Sequence, residues 1–181
     1  NLHNNVLLEP NQAAEILSRI KSLRHIDMSG CRLTDLGEHF GKLTQIHSLD
    51  LHINSIERLP ASVEQMASLR ELNISNNPKL QSPVIFYDIS KLKNLETLSM
   101  IGCNLQDIPS SIVGLQNLKY FYLQDNPIQS ISKEIGSLTH LEEIYLGQSS
   151  NTSKVELKTL PHEIGKCVEL KKIDLRMAGL E

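Results

Sequence analysis

Apolar residues along this chain recur in one fixed order: apolar, two others, apolar, one other, apolar, then Asn or Cys three places on. The order runs through Leu23, Ile26, Met28, Cys31 and Leu33, and again through Ile46, Leu49, Leu51, Asn54 and Ile56. It continues at Leu69, Leu72, Ile74 and Asn77, at Leu95, Leu98, Met100 and Cys103, and at Leu118, Phe121, Leu123 and Asn126. Looser copies follow at Leu141, Ile144, Leu146 and Ser149, and at Leu170, Ile173, Leu175 and Ala178. First residues at 23, 46, 69, 95, 118, 141 and 170 set a ruler of 23 residues, broken by insertions of three and six. A fixed period of this length marks stacked units that share a core with their neighbours.

Each unit divides into two legs. Around the apolar-x-apolar step, alternation predicts a short parallel strand, with the residues between the apolar ones facing outward. The return leg carries apolar residues six and three places before the next unit, as at Phe40/Leu43, Val63/Met66, Ile89/Leu92, Ile112/Leu115, Ile135/Leu138 and Ile164/Cys167. A spacing of three predicts a short, tight helical turn. The architecture expected is an α/β solenoid, a curved array with a parallel concave sheet and an irregular or short-helical convex side. We read residues 1–181 as a single domain with a partial first repeat over 1–22 and about seven further repeats from 23.

Only Asn11 to Leu23 reads as a longer α-helix, with Ala13, Ile16, Leu17, Ile20 and Leu23 at helical spacing behind Asn11 as N-cap. The first insertion, within Pro78 to Phe86, strings Val84, Ile85, Phe86 and Tyr87 together and is expected to be a bulged loop. The second, Gln148 to Thr159, is polar and is expected to be a surface excursion of the kind that often carries recognition. Opening in mid-repeat, with Leu2 in the place of Met28, and ending without a polar closing repeat, the chain reads as a fragment of a longer array.

The polar residues at the turn are assigned to structure. Asn5, Asn54, Asn77 and Asn126 recur in register, where an amide can satisfy backbone groups as the strand bends into its loop. Cys31 and Cys103 hold the same slot and Cys167 packs as a small hydrophobe, so no disulfide is expected. Three free thiols point to a reducing, cytoplasmic setting, with a secreted or extracellular one as the alternative. Asn73-Ile74-Ser75 and Asn151-Thr152-Ser153 are sequons of consequence only for an exported chain.

Composition narrows the partners. Eighteen basic and 21 acidic residues are interspersed for a net charge of −3, and no basic stripe invites nucleic acid. No apolar run approaches the roughly 18 residues of a membrane span. No phosphate loop, no metal-binding His-Glu-x-x-His and no Cys-x-x-Cys is present. Catalysis, metal and cofactors are therefore not expected.

The outward positions form three columns across the concave sheet. Three of the four tyrosines fall there in adjacent repeats: Tyr120 beside Glu143 in the first column, Tyr122 and Tyr145 in the second. Ile101 and Gln124 lie in the third. Tyrosine clusters on an open face are favoured at interfaces, so Tyr120, Tyr122, Tyr145, Ile101, Glu143 and Gln124 are the expected partner surface. At the other end His25, Asp27, Asp50 and His52 come close, with His3 one layer before. Such a group could hold zinc, but flexible side chains without supporting bonds read better as a solvated polar patch.

The 23-residue period with Leu-Pro-x-x-Ile-Gly-x-Leu-x-x-Leu, best seen at Ile108-Pro109 to Leu115 and Leu160-Pro161 to Cys167, resembles the short leucine-rich repeats. These occur in Ras-binding and Scribble-like scaffold proteins, plant relatives and bacterial proteins. Departures are Phe121 for Leu, Lys79 for an apolar residue, and Ser149 and Ala178 for Asn. The resemblance implies a non-catalytic module that binds another protein through its concave face. The alternatives are the sensing portion of a larger enzyme (a ligase, kinase or GTPase) and a secreted bacterial adhesin or effector.

Overall fold

A computed structural model describes residues 1–5, 9–149 and 157–179. The predicted strands are three residues long: β1 (His25–Asp27), β2 (Ser48–Asp50), β3 (Glu71–Asn73) and β4 (Thr97–Ser99). A two-residue β5 (Asp107–Ile108) follows on a return leg, then β6 (Tyr120–Tyr122), the short β7 (Ser130–Ile131), β8 (Glu143–Tyr145) and β9 (Lys172–Asp174). Seven of them form one parallel sheet in the order β1-β2-β3-β4-β6-β8-β9, and β5 pairs with β7 in a second small sheet. The register steps by whole repeats, so Ile26, Leu49, Leu72, Leu98, Phe121, Ile144 and Ile173 stand in one row. All of that row is buried except Ile173, at 38% exposure on the last strand. Leu2 N–H donates to Asp27 C=O at 2.8 Å, as Met28 N–H does to Asp50 C=O, so Leu2 extends the ladder beside β1.

Return legs at Glu38–Lys42, Ala61–Gln65, Ser110–Gly114, Lys133–Ser137 and His162–Lys166 are 3-10 turns, as the spacing of three requires. Successive turns pack closely. A Cβ on Gly136 would stand 2.4 Å from the Glu163 carbonyl oxygen of the next layer, so no side chain fits there.

The turn asparagines behave as expected. Asn126 Oδ1 accepts from Cys103 N–H and Leu105 N–H at 2.9 and 3.0 Å, while its Nδ2 donates to Met100 and Leu123 carbonyls at 2.7 and 2.9 Å. Asn54 and Asn77 donate to the corresponding carbonyls and accept from one N–H each, of Leu33 and Ile56. Asn5 also bonds to the Leu2 carbonyl, yet it is exposed. The Cys31 and Cys103 thiols take over one of these bonds, donating to Leu2 and Ile74 carbonyls at 3.2 Å each. All three cysteines are free and buried, and burial pushes the Cys103 thiol up to about 11.

Four expectations need correction. The first helix, α1 (Pro10–Leu17), begins on Pro10 with Glu9 as N-cap and stops six residues short of Leu23. Proline at the first helical position fixes the start. Asn11 instead caps the next layer, where its Oδ1 accepts from His39 N–H at 2.8 Å. The buried face runs through Ala14, whose small side chain lets α1 lie against the Glu38–Lys42 turn, and Ile16 and Ile20 are left 56% and 45% exposed.

Second, the Pro78–Phe86 insertion is no bulge. Its three extra residues convert a tight turn into a second α-helix, α2 (Ser82–Ile89), which buries Ile85, Phe86 and Ile89. Phe86 meets Phe121 edge to face at 6.2 Å, which accounts for Phe in place of Leu at 121. Asp88, 1% exposed, anchors α2 to the preceding layer by accepting from Leu59 N–H at 3.1 Å and Arg58 Nη2 at 3.3 Å.

Third, Ser149 does not occupy the buried turn slot. Ser149 is exposed, while Gln148, one position earlier and still in ladder register through its N–H to Arg176 C=O at 2.9 Å, is buried and donates from Nε2 to the Asn126 carbonyl at 2.9 Å. Residues 150–156 of that insertion, the sequon at Asn151 and Leu180 lie outside the described residues. Fourth, the His/Asp group is hydrogen-bonded rather than merely solvated, as the concave face shows in detail.

Candidate functional site on the concave face

Between the buried apolar residues of each strand stand the outward ones, and the ladder brings them into line. Glu71, Thr97, Tyr120, Glu143 and Lys172 form one column; Asn73, Ser99, Tyr122, Tyr145 and Asp174 form the next. Tyr120, Tyr122 and Tyr145 are half-buried and lie outside the core, while Phe121 and Ile144 between them are fully covered.

Tyr122 and Tyr145 stack with centroids 5.0 Å apart and planes at 24°. The Lys172 ammonium stands 4.7 Å from the Tyr145 centroid. Since β8 lies between β6 and β9, the two faces of the Tyr145 ring are both occupied. Its hydroxyl donates to the Glu143 carboxylate. Tyr122 has its second face turned toward β4, and there the neighbouring residue is the short Ser99. Burial, then the nearby Tyr145 and Glu143, raise the Tyr122 phenol above its ordinary value, so it remains neutral at physiological pH. Ile101 is half-buried beside this pair, with its N–H held by Ser75 Oγ at 3.1 Å. Gln124 Oε1 is buried without a hydrogen-bond partner among the described residues.

On the open side of Tyr122 lies a depression of about 400 Å³, lined by Asp50, Glu71, Asn73, Thr97, Ser99 and Ile101 together with the tyrosine ring. Sequence reasoning missed it. The signal was a run of small outward residues on β2 to β4, visible only once those strands are placed side by side.

At the His/Asp end the side chains serve the backbone. Asp27 Oδ1 accepts from Ser29 N–H and Oγ–H at 3.0 and 2.5 Å; Asp50 Oδ1 accepts from His52 N–H at 2.9 Å and meets His52 Nδ1 at 2.7 Å. Asn73 and Asp174 accept the corresponding N–H of Ser75 and Arg176 at 3.1 Å each. His3 joins the group through Ser29 Oγ at 2.6 Å and stacks on His52 at 6.5 Å. His25 is exposed, one strand position away, and bonds to none of them among the described residues. Burial opposes ionisation of Asp27, but the Ser29 hydroxyl and N–H, with His3 and His52 beyond, hold its carboxyl below the ordinary 3.8. Among the described residues no three His, Cys, Asp or Glu side chains converge as a metal site. No described helix is long and apolar enough to cross a membrane.

Known proteins show the same repeat. Residues 21–78 match the family model described as Leucine rich repeat, residues 116–162 the model for two copies, and residues 68–92 and 94–115 the single-repeat model. A human volume-regulated anion channel subunit, LRRC8B, is 33% identical over 132 residues, covering 69% of this chain and 16% of its own length. Adenylate cyclase of Schizosaccharomyces pombe is 30% identical over 120 residues, 62% of this chain and 7% of the cyclase. The chain thus spans a small part of the curated relatives it matches. Among solved structures, the Leptospira interrogans LRR protein LIC12759 superposes with a TM-score of 0.69 at 28% identity, covering 89% of this chain and 45% of that one. The leucine-rich repeat domain of the type III effector XCV3220 (XopL) gives 0.68 at 26% identity, covering 90% and 63%. With the parallel ladder, the turn asparagines and the 23-residue ruler already in place, these matches make the chain a member of the leucine-rich-repeat family.

Proposed function

We propose that this chain is a recognition module without chemistry of its own, holding an extended segment of a partner protein along the concave face. Tyr122 and Tyr145 form its anchor, with Tyr120, Ile101, Glu143 and Gln124 around them. The observation that carries this is the use of the second column. On β1, β2, β3 and β9 its residue is Asp or Asn and caps the N–H two places on, whereas on β6 and β8 that residue is a half-buried aromatic ring in a stack. A rigid sheet that already holds its rings in place loses little freedom on binding, so ring contacts translate into affinity. A reducing compartment, the cytoplasm, is part of the same proposal, and three buried free thiols support it.

A second reading, the sensing portion of a larger enzyme, is favoured by the cyclase relative and by a probable serine/threonine-protein kinase of Dictyostelium discoideum, 29% identical over 165 residues. The concave face would then select what reaches the enzyme. The likeness to a type III effector likewise favours an exported variant of the same module.

The test is affinity for a partner retained by the intact protein, measured by calorimetry. Tyr122→Ala is expected to weaken binding by about 2 kcal/mol, the scale of an aromatic hot spot, and Tyr145→Ala by less because its faces are already taken. Unchanged affinity in both variants, with circular dichroism intact, overturns the assignment.

A further inference from the structure

The ring stack on the concave face is unfinished. Tyr145 lies between Lys172 and Tyr122, and the 5.0 Å between the two rings is close to the spacing of adjacent strands, about 4.8 Å. The next place in the stack stands over β4, where Ser99 is too short to fill it and has its hydroxyl turned to Ser75 Oγ at 2.8 Å. That place is the depression beside Tyr122.

Its far wall is acidic. Asp50 is held on both oxygens, by His52 and by Asn73 Nδ2 at 3.2 Å. Glu71, exposed at the other side, has no hydrogen bond or ion pair to its carboxylate among the described residues. The adjacent Arg70 does not serve it, being turned to Glu96 at 3.4 Å in an outer ladder that continues to Lys119 at 2.8 Å. No Lys, Arg or His lines the depression. A ring face, a gap one layer thick and an unmatched carboxylate therefore meet in one place.

We propose that this depression receives an arginine side chain of the partner, its guanidinium stacked on Tyr122 and paired by Glu71. The proposal rests on the reading of the concave face as the partner surface and names the residue that the face selects. Only a planar cation meets both demands. An aromatic ring would continue the stack but strip water from Glu71 without replacing it. An ammonium would pair with Glu71 but present no plane to the ring. A carboxylate or phosphate would meet the field of Asp50 and Glu71 with the wrong sign.

The test titrates the intact protein with three capped tripeptides, N-acetyl-Gly-Arg-Gly-amide and its Lys and Gln counterparts, following backbone and tyrosine-ring signals by NMR. The arginine peptide is expected to move the signals of Tyr122, Ser99 and Glu71 and to bind about fivefold more tightly than the lysine peptide, with the glutamine peptide inert. Glu71→Gln should weaken the arginine peptide about fivefold, and added salt should do the same. Equal responses to arginine and lysine, shifts that map elsewhere, or indifference to Glu71→Gln would each overturn the proposal. The two readings fail separately. Partner affinity that drops in Tyr122→Ala but ignores Glu71→Gln sinks the arginine assignment alone, whereas partner affinity that ignores both tyrosines sinks the concave-face reading.

Discussion

The two halves of the concave face share one register and use it differently. In the second outward column of β1 to β3, Asp27, Asp50 and Asn73 look ready for chemistry, yet a side-chain oxygen of each is spent on the chain's own N–H two places on. In the same column on β6 and β8 stand Tyr122 and Tyr145, which close no such turn and stack on one another. Polar chemistry exposed on a sheet is therefore a poor guide to a site until the needs of the backbone beneath it are subtracted. What remains after subtraction here is Tyr122 with one open face, Glu71 without a partner, and the gap between them.

If that division holds, side chains in the first class control stability and those in the second control binding. The strongest test on the scaffold side is Asn126→Ala. The amide meets two N–H groups and two carbonyls buried between layers, and its removal leaves them unpaired. Loss of about 4 kcal/mol in urea unfolding is expected, since each buried orphan costs about 1–3 kcal/mol and neighbouring losses are partly relieved by relaxation. Tyr122→Ala is the counterpart: about 2 kcal/mol of partner affinity, with a smaller change in the unfolding midpoint. A tyrosine variant that unfolds readily, or an asparagine variant that folds normally yet fails to bind, would erase the distinction.

Much of this was legible in the sequence because the 23-residue ruler fixes which residue stands beside which. Once Leu49 pairs with Leu72, the columns, the turn asparagines and the buried thiols follow. What escaped depends on geometry that the ruler does not set. The capping role of Asp27 and Asp50 arises from the bend of the backbone after each strand, which no residue spacing reveals. α2 was hidden because Val84 to Tyr87 is apolar without a break, although Ile85, Phe86 and Ile89 carry helical spacing within it. Asn11 has the chemistry of an N-cap and acts as a cap, but for a turn 28 positions later. The depression beside Tyr122 is made by what Ser99 lacks.

A milder probe of the His/Asp end uses acid. The Asp27 carboxyl has its pKa lowered by folding, so its stabilisation is complete above the ordinary value of 3.8 and is lost as pH falls through the lower, folded value. Asp27→Ala is expected to cost about 1 kcal/mol at neutral pH, because the buried Ser29 N–H loses its acceptor. It should also remove part of the decline in stability below pH 4, within the window set by that shift. Unfolding midpoints measured from neutral pH down to pH 3 check both. Partner affinity at neutral pH should not move.

The smallest effect has the opposite sign. Three places after β1, β3, β4, β6 and β9 the backbone turns left-handed, at Gly30, Asn76, Gly102, Asp125 and Met177, as it does at Asn4 in the opening residues, with φ between 55° and 65°; after β2 the place falls on Ile53, with φ 54°. In this conformation Ile53 N–H donates to Ser75 C=O at 3.0 Å as Asn76 N–H does to Ile101 C=O at 2.7 Å. A β-branched residue is strained there, by about 1–2 kcal/mol. Ile53 is 55% exposed and gains little burial in return. Asparagine tolerates the left-handed region without the unfolded-state freedom of glycine, so Ile53→Asn should raise stability by about 1 kcal/mol and Ile53→Gly by less. Partner affinity measured on the same variants sharpens the contrast between the two halves. If Ile53→Asn is more stable and binds as before, the strained residue is a tolerated fault of the scaffold. If it binds markedly less, the partner reaches past the depression to the His/Asp end, and an exposed apolar residue held against its preference belongs to the binding surface.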